Sequence, residues 1–323
     1  MSLFTKKPQT LAIIGNGFDM NHGYNTDYKS FVSKTKDPSL EKFQEYCEIE
    51  DISTWYLFEE NIRILSEKLF FKSVSENCDF DDNRKEVREL TDIFKKIHVL
   101  LKNYLEHETS LAPIKKKPCI EKYLNKNTVA INFNYTETAE AYTNNIIYVH
   151  GSLKEDDILL GYDYRDEPCL AQYEDMQWAK SICRESLAFR RYFIGKKKYD
   201  PTGKKYQALR EGLENYHHWE NTGRGIDDEV KEFIPHYSTI DKFLKKHRSH
   251  FLTPDLKYKN IKTLVILGHG IEADRKFLEE ILKRCINLEK VVIYRYSGED
   301  ESVYNYKVSF FTEYCKNIEQ IKY

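Results

Sequence analysis

The sequence predicts an α/β fold, a Rossmann-like and mostly parallel sheet flanked by helices, with large helical insertions. Five short apolar runs rich in β-branched residues stand between long polar segments whose apolar positions repeat at helical spacing. Continuous apolar runs are typical of strands that are buried on both faces, as parallel strands are. The chain has 323 residues, of which 41% are hydrophobic, and this is enough to form a sizeable core. We therefore expect one Rossmann-like domain over residues 1–323.

The predicted strands occupy residues 11–14, 129–133, 146–149, 264–267 and 291–294. The last two form the clearest unit, because apolar residues at helical spacing lie between them, at Phe277, Leu278, Ile281 and Leu282. A strand, a helix and a second strand in this order predict a β-α-β crossover with parallel strands.

Two long polar segments separate the predicted strands. More than a hundred residues lie between the first and the second strand, and apolar positions such as Ile93, Ile97 and Leu101 repeat there at helical spacing. We expect a helical insertion over about residues 35–125. The segment of about residues 166–260 carries scattered aromatic residues among many charges, and it predicts a second insertion that is mostly helical.

Composition argues against several classes of function. The 50 basic and 52 acidic residues balance, so no bulk charge favours nucleic acid or an anionic membrane as a partner. No apolar run approaches the ~20 residues that span a bilayer, and the start of the chain lacks the apolar stretch of a secretion signal. The seven scattered cysteines form no C-x-x-C pair, which predicts free thiols in a cytoplasmic protein and no cysteine metal site. The basic loop 195–205 is interpreted as a solvated turn, with a nucleic-acid patch as the less favoured alternative.

The first predicted strand ends in a glycine turn made of Gly15, Asn16, Gly17, Phe18 and Asp19, with His22 shortly after it. Glycines at this point let the backbone turn sharply, and they let a phosphate approach the N–H groups of the next helix without meeting a Cβ. The turn is not a complete G-x-G-x-x-G, because Met20 occupies the third glycine position, and it is not a P-loop. It predicts nucleotide binding, while an ordinary strand-to-helix turn with an Asn or Asp cap stays open as an alternative.

Polar residues follow the next two strands at the edge where open α/β sheets place ligands. Asn134 comes after the second strand, and its amide would hold a ribose hydroxyl or orient a water, or else form an Asx-turn that ends the strand. His150 comes after the third strand, where a histidine is well placed as a general base. Gly151 follows it and leaves room for substrate. Most lone histidines have no such role, so a structural His150 also stays open.

The fourth strand ends in a second glycine turn, which carries Gly268, His269 and Asp274. The Gly268 backbone is expected to contact the ligand by the same logic as the first turn. Asp274 is expected in the first turn of the following helix, where a carboxylate suits the helix dipole, and positioning of the nucleotide is its alternative role.

Five motifs follow one another along the chain, namely I-I-G-N-G-F-D-x-N-H-G, N-F-N-Y-T, V-H-G-S-L, L-L-G-Y-D and L-G-H-G-I-E-A-D. In kind and order they resemble the motifs of the AbiH family, bacterial abortive-infection proteins that act against phage. The resemblance implies a cytoplasmic antiphage effector with a phage-derived trigger as a partner. The aromatic-rich helices add a homo-oligomer as an open alternative.

The AbiH family is itself similar to the sirtuin-type NAD-binding domains, which implies that NAD is a substrate or ligand and that no prosthetic group is needed. By that similarity Asn134 and His150 match the catalytic pair, residues 15–19 match the glycine loop, and the turn at 268–274 lies by the adenosine. The sequence departs from the sirtuin pattern in three ways. It lacks the four-cysteine zinc module, Thr136 stands where sirtuins tend to have aspartate, and Gly270 replaces a serine.

Without the zinc module, the resemblance implies an NAD hydrolase rather than a protein deacylase. The nicotinamide N-glycosidic bond would break through an oxocarbenium-like transition state attacked by water. His150 would take a proton from water or a ribose hydroxyl, Asn134 would orient both, and Asp19 would stabilise positive charge at the anomeric carbon. This hypothesis requires Gly17, Asn134 and His150 to surround one pocket, with His150 accessible rather than buried.

Two other functions stay open at this stage. One is a sensor or assembly module that binds a nucleotide without cleaving it. The other is a nuclease toxin that acts on RNA, and the basic loop 195–205 is the only feature of the sequence that supports it.

Overall fold

The fold is described from a computed structural model of the chain. It describes residues 8–49, 80–155, 258–296 and 298–322, together with residues 51, 58, 61, 62, 64, 65, 68, 157, 158 and 160. The predicted insertion at about 166–260 lies outside the described residues, apart from its last three positions.

Eight strands are described: β1 (Thr10–Ile14), β2 (Thr128–Asn132), β3 (Ile146–Tyr148), β4 (Gly151–Ser152), β5 (Asp157–Ile158), β6 (Thr263–Leu267), β7 (Lys290–Arg295) and β8 (Ile318–Lys322). Six of them form one sheet in the order β3-β2-β1-β6-β7-β8, and β4 and β5 form a small antiparallel pair. Every neighbouring pair in the six-stranded sheet is parallel. The predicted Rossmann-like α/β fold is confirmed.

The apolar runs form strands because both faces of the sheet are covered. Ile13 pairs in register with Ile131 of β2 and Ile266 of β6, and all three belong to the core on one face. Ala12 and Ile14, which alternate with Ile13, belong to the core on the other face. A strand buried on both sides needs apolar residues at every position, and this produces the continuous runs.

Seven α-helices are described: α1 (Asn16–Asn21), α2 (Tyr28–Lys34), α3 (Pro38–Cys47), α4 (Phe80–Ser110), α5 (Pro118–Glu121), α6 (Arg275–Leu282) and α7 (Glu301–Thr312). Three of them begin at an aspartate whose carboxylate accepts a backbone N–H, namely Asp27, Asp37 and Asp300. Helices α1 to α5 lie in the chain between β1 and β2. Among them, α2, α3 and α4 pack in a core of their own, which Leu153 and Ile158 of the β4–β5 region also join.

One strand of the sheet was not predicted. β8 is an edge strand that pairs only with β7 among the described strands, and its sequence is Ile-Glu-Gln-Ile-Lys. An edge strand is only partly covered, so β8 carries polar residues between its two isoleucines and lacks the continuous apolar run used to find the others.

Candidate functional site

The carboxyl ends of β1, β2, β3 and β6 bring the two glycine turns, Asn134 and His150 to one edge of the sheet. Counting only the strands of the main sheet, their order is 3-2-1-4-5-6. The order reverses at β1, whose neighbours are β2 and β6. In open α/β sheets this reversal point is where a crevice for ligands forms.

The two glycine turns pack directly on each other. The Gly15 N–H donates to Leu267 O at 2.9 Å, and the Gly17 N–H donates to Gly268 O at 3.0 Å. A Cβ on Gly15 would come within 2.6 Å of the His269 Cα, and a Cβ on Gly17 within 2.9 Å of the Gly268 Cα. The space that was expected to admit a phosphate at these glycines is therefore occupied by backbone of the neighbouring turn.

Gly268 has the strongest requirement for glycine in the site. Its φ is +64°, in the left-handed region that favours glycine. A Cβ there would lie 2.2 Å from the backbone N of Phe18. Phe18 itself is fully buried and packs against the rings of His22 and Tyr142 at centroid distances of 4.5 Å and 5.9 Å. This anchors α1 beneath the turn.

The first glycine turn leads into α1 without a side chain that caps the helix. Gly15 is the N-cap of α1, and no side chain caps the helix there. Asn16 Oδ1 instead accepts a hydrogen bond from the Thr26 hydroxyl at 2.5 Å. The Asn or Asp cap considered for this turn is therefore not present.

Asp19 lies in α1 with its carboxyl inside the protein, where its exposed fraction is 0%. Its Oδ2 accepts hydrogen bonds from the hydroxyls of Thr136 at 2.5 Å and Thr26 at 3.5 Å, while its Oδ1 accepts none from the described residues. Burial raises the pKa of Asp19 to about 6, and the nearby polar groups of Thr136, Thr138 and Asn134 oppose that rise. The carboxyl ties α1 to the segment that follows β2.

Asn134 contacts the first glycine turn directly. Its Nδ2 donates to Gly15 O at 3.0 Å, and the side chain is buried. The Asx-turn considered for Asn134 is made by Asn132 instead, because Asn132 Oδ1 accepts the Asn134 backbone N–H at 3.1 Å. The Asn134 amide thus links the tip of β2 to the turn after β1.

His150 follows β3 and is buried, with an exposed fraction of 6%. Its ring packs against Phe133 and Tyr135 at centroid distances of 5.8 Å and 6.1 Å. Phe133 also packs against His269 at 4.3 Å, so this one ring joins the tips of β2, β3 and β6. The expectation that His150 is accessible is wrong for this structure, because the aromatic side chains that flank Asn134 cover the ring.

Gly151 follows His150 with a φ of +88°, which favours glycine, and it begins the short pair of strands β4 and β5. Its requirement for glycine is therefore explained by the backbone turn at this point.

His22 uses both ring nitrogens within the chain. Nδ1 lies 2.7 Å from Phe18 O, which only accepts, so Nδ1 carries the proton. Nε2 lies 2.8 Å from the Tyr142 hydroxyl, which therefore donates to it and in turn accepts the Lys117 backbone N–H. Burial lowers the pKa of His22, in keeping with a neutral ring.

His269 and Asp274 pair with each other in the second glycine turn. His269 Nδ1 accepts the Ile271 N–H at 3.0 Å, so the ring proton lies on Nε2, which faces Asp274 Oδ2 at 3.4 Å. Asp274 is the N-cap residue of α6, but its side chain makes no capping hydrogen bond. Asp274 thus lies at the start of the helix, where a carboxylate suits the dipole, but it caps the helix with no side-chain hydrogen bond, and its carboxylate faces the histidine instead.

The sequence matches the family described as bacteriophage abortive infection AbiH over residues 11–296. This chain belongs to the AbiH family. The family assignment made from the motifs is thus confirmed, and it makes the protein one of phage abortive infection. Neither a curated protein nor a solved structure matches the chain.

Four of the five motifs coincide with parts of the structure that meet at this edge, and the fifth, L-L-G-Y-D, lies outside the described residues apart from Leu160. The structure brings residues 15–19 together with Asn134 and with the turn at 268–269. His150 joins them through Phe133. The described hydrogen bonds of His22 join it to Phe18 and Tyr142 and not to Asn134.

Two polar residues at this edge, Thr26 and Asn132, were missed from the sequence, and Thr136 was noted only as a departure from the sirtuin pattern. They hold Asn16, Asn134 and Asp19 in place. Only Asn132 and Thr136 carried a signal, because both lie in the N-F-N-Y-T motif.

Within the described part of this AbiH chain, no group of three or more His, Cys, Asp or Glu residues is arranged to hold a metal ion. The cysteines at 47, 119, 285 and 315 are free. No helix in the same part is both long and apolar enough to cross a membrane. The basic loop 195–205 lies outside the described residues.

Proposed function

We propose that this AbiH protein acts in abortive infection by binding NAD or a related nucleotide at the carboxyl edge of its sheet. The observation that carries the proposal is the meeting of Asn134, Asp19 and the two glycine turns at the point where the strand order reverses. Nucleotides bind at this point in other sheets of the same strand order.

The polar groups of the site suit a nucleotide in their chemistry. Asp19 has a raised pKa and an Oδ1 that accepts no hydrogen bond from the described residues. Asn134 presents an amide next to it. The Asn134 amide offers an acceptor and donors for ribose hydroxyls, and the buried Asp19 carboxyl supports it from within the protein. Perturbed carboxyls concentrate at functional sites.

Cleavage of the bound nucleotide is the second candidate function. Water would attack the anomeric carbon of NAD as the bond to the nicotinamide nitrogen breaks, and the bonding electron pair would leave with neutral nicotinamide. His150 would accept the proton of the attacking water, and Asn134 would orient the water and ribose. The products are nicotinamide, ADP-ribose and one proton. Asp19 is too deeply buried to meet the anomeric carbon, so its part is to position Asn134 and Thr136.

Because His150 is buried, nucleotide binding is favoured over nucleotide cleavage. A general base must come within hydrogen-bond reach of the proton that it removes. Phe133 and Tyr135 cover the ring, so cleavage requires this edge to open before His150 meets water. Binding at Asn134, which is 7% exposed, also requires the edge to open, but it requires no proton transfer to the covered His150 ring.

The similarity to sirtuin-type domains is part of the proposal, and the departure at Thr136 fits the site. The Thr136 hydroxyl donates to Asp19 Oδ2. An aspartate at position 136 would set a second carboxylate against the buried Asp19, and two like charges at this distance raise one another's pKa further.

A single incubation separates the two candidates. The full chain is mixed with NAD, with and without phage lysate, and both bound NAD and released nicotinamide are measured. We expect wild type to bind NAD, Asn134→Ala to bind at least about tenfold more weakly through loss of one buried hydrogen-bonding group, and Asn287→Ala, an exposed asparagine at the opposite edge, to bind as wild type does.

Release of nicotinamide that falls about a hundredfold or more in His150→Ala supports cleavage as well. Binding without release supports the binding function alone. Absence of both from wild type, with and without lysate, contradicts the proposed function.

A further inference from the structure

Tyr296 is an exposed aromatic residue at the same edge of the sheet, and neither the motifs nor the proposed function uses it. It follows the last residue of β7, and its exposed fraction is 43%. Tyr294, two residues earlier, is only 2% exposed. The β6–β7 register pairs Tyr294 with Leu267, so continuing it by two residues brings Tyr296 level with His269.

The Tyr296 ring is held by the turn that follows it. The Glu299 N–H donates to Tyr296 O at 3.0 Å and closes a tight turn. The ring lies against Gly298, where a Cβ would come within 2.7 Å of Tyr296 Cε1. Glycine at 298 therefore lets the ring rest on the backbone, which fixes its position before any ligand arrives.

The charged neighbour of Tyr296 is already engaged. Arg295 lies 2.5 Å from Glu301, and its guanidinium packs over the Tyr304 ring at 4.9 Å. The side chain available to a ligand at the tip of β7 is thus an aromatic ring and not a free cation. Aromatic rings in such places bind nucleic-acid bases by stacking, since every base has a π-face.

The spacing along the edge matches a dinucleotide. β7 lies three strands from β2, and neighbouring strands are about 4.8 Å apart, so their tips are separated by about 14 Å. Asn134 and His150 stand at one end of this span and Tyr296 at the other. A nucleotide with a single sugar at Asn134 does not bridge that distance, whereas an extended dinucleotide does.

We propose that Tyr296, supported by Gly298, is the stacking platform for the adenine base of the nucleotide bound at this edge. The inference rests on the proposed function and adds to it the residue on which the base stacks. It makes the ligand a two-ended adenine nucleotide whose ribose at the far end reaches Asn134.

The test measures equilibrium binding of two probes, ADP-ribose and nicotinamide mononucleotide, to the full chain. We expect Tyr296→Ala to weaken ADP-ribose binding about tenfold or more, through loss of one base-stacking contact, and to leave the mononucleotide unaffected. Tyr296→Phe keeps the ring and is expected to bind ADP-ribose as wild type does. Gly298→Ala retains the tyrosine but displaces its ring, so it is expected to weaken ADP-ribose binding too. Ile286→Ala, an exposed apolar residue at the opposite edge, serves as control.

ADP-ribose binding that is unchanged in both Tyr296→Ala and Gly298→Ala overturns this inference and leaves the proposed function standing. Equal weakening of both probes by Tyr296→Ala also overturns it, because the effect is then not confined to the base. If wild type binds neither probe, the proposed function fails first and this inference fails with it.

Discussion

The Asp19 carboxyl is fully buried, and burial raises its pKa from 3.8 to about 6. In the unfolded chain the carboxyl ionises near 3.8, so between pH 4 and pH 6 unfolding releases a proton. The carboxyl's contribution to the free energy of unfolding is thus complete below pH 4 and lost as the pH rises to about 6. The change corresponds to about 3 kcal/mol.

We predict that Asp19→Asn removes this pH dependence. The free energy of unfolding of Asp19→Asn, minus that of wild type, should rise by about 2 kcal/mol between pH 4 and pH 7. Denaturant titrations at several pH values measure it. Asp92→Asn, at a carboxylate whose side chain is 76% exposed, is the control and should give a flat difference. An equally flat difference for Asp19→Asn is incompatible with the buried carboxyl described here.

Single residues were predicted where their chemistry stands out in the sequence, and missed where it does not. Asn134 was found because it follows an apolar run, and the run fixes the edge at which it lies. The contact of Asp19 with Thr136 joins residues 117 positions apart, and threonine has many common roles, so no local pattern indicates it. The burial of His150 was also hidden, because it depends on how Phe133 and Tyr135 pack.

At the scale of elements, the two glycine turns act as one unit. Each needs glycine because the other's backbone occupies the place of a side chain, so the requirement arises from packing and not only from a ligand. The sequence shows the glycines but not their partner, since the two turns are separated by most of the chain. The strands were predicted more fully, because burial on both faces leaves apolar runs. β8 was not predicted because it is an edge strand of the sheet and lacks a continuous apolar run.

We predict that Gly268→Ala destabilises the protein by about 2–5 kcal/mol. The left-handed backbone disfavours a Cβ, and that Cβ would meet the Phe18 backbone at 2.2 Å. Gly270→Ala is the matched control two residues away, because a Cβ there would meet nothing within 4 Å, and its effect should stay within about 0.5 kcal/mol. Thermal or denaturant unfolding of both variants measures the difference. If the two variants are equally stable, the two glycine turns do not pack on each other as described.

For the whole molecule, the reversal of the strand order at β1 points to the carboxyl edge of the sheet. The order 3-2-1-4-5-6 was not predicted, because strand order depends on crossovers through long segments that carry no pairing signal. The edge was nevertheless predictable, since the carboxyl ends of parallel strands meet on one side whatever their order. Ligand is therefore expected at this edge of the sheet and not at the opposite one.

Hydrogen–deuterium exchange of the full chain with and without ADP-ribose tests that claim most directly. The account predicts slower exchange in peptides covering residues 14–22, 132–137 and 267–274 when ADP-ribose is present. It predicts no change in peptides covering residues 125–128 and 286–290, at the opposite edge of the sheet. Protection confined to the opposite edge, or unchanged exchange in all three predicted segments at saturating ADP-ribose, would contradict it.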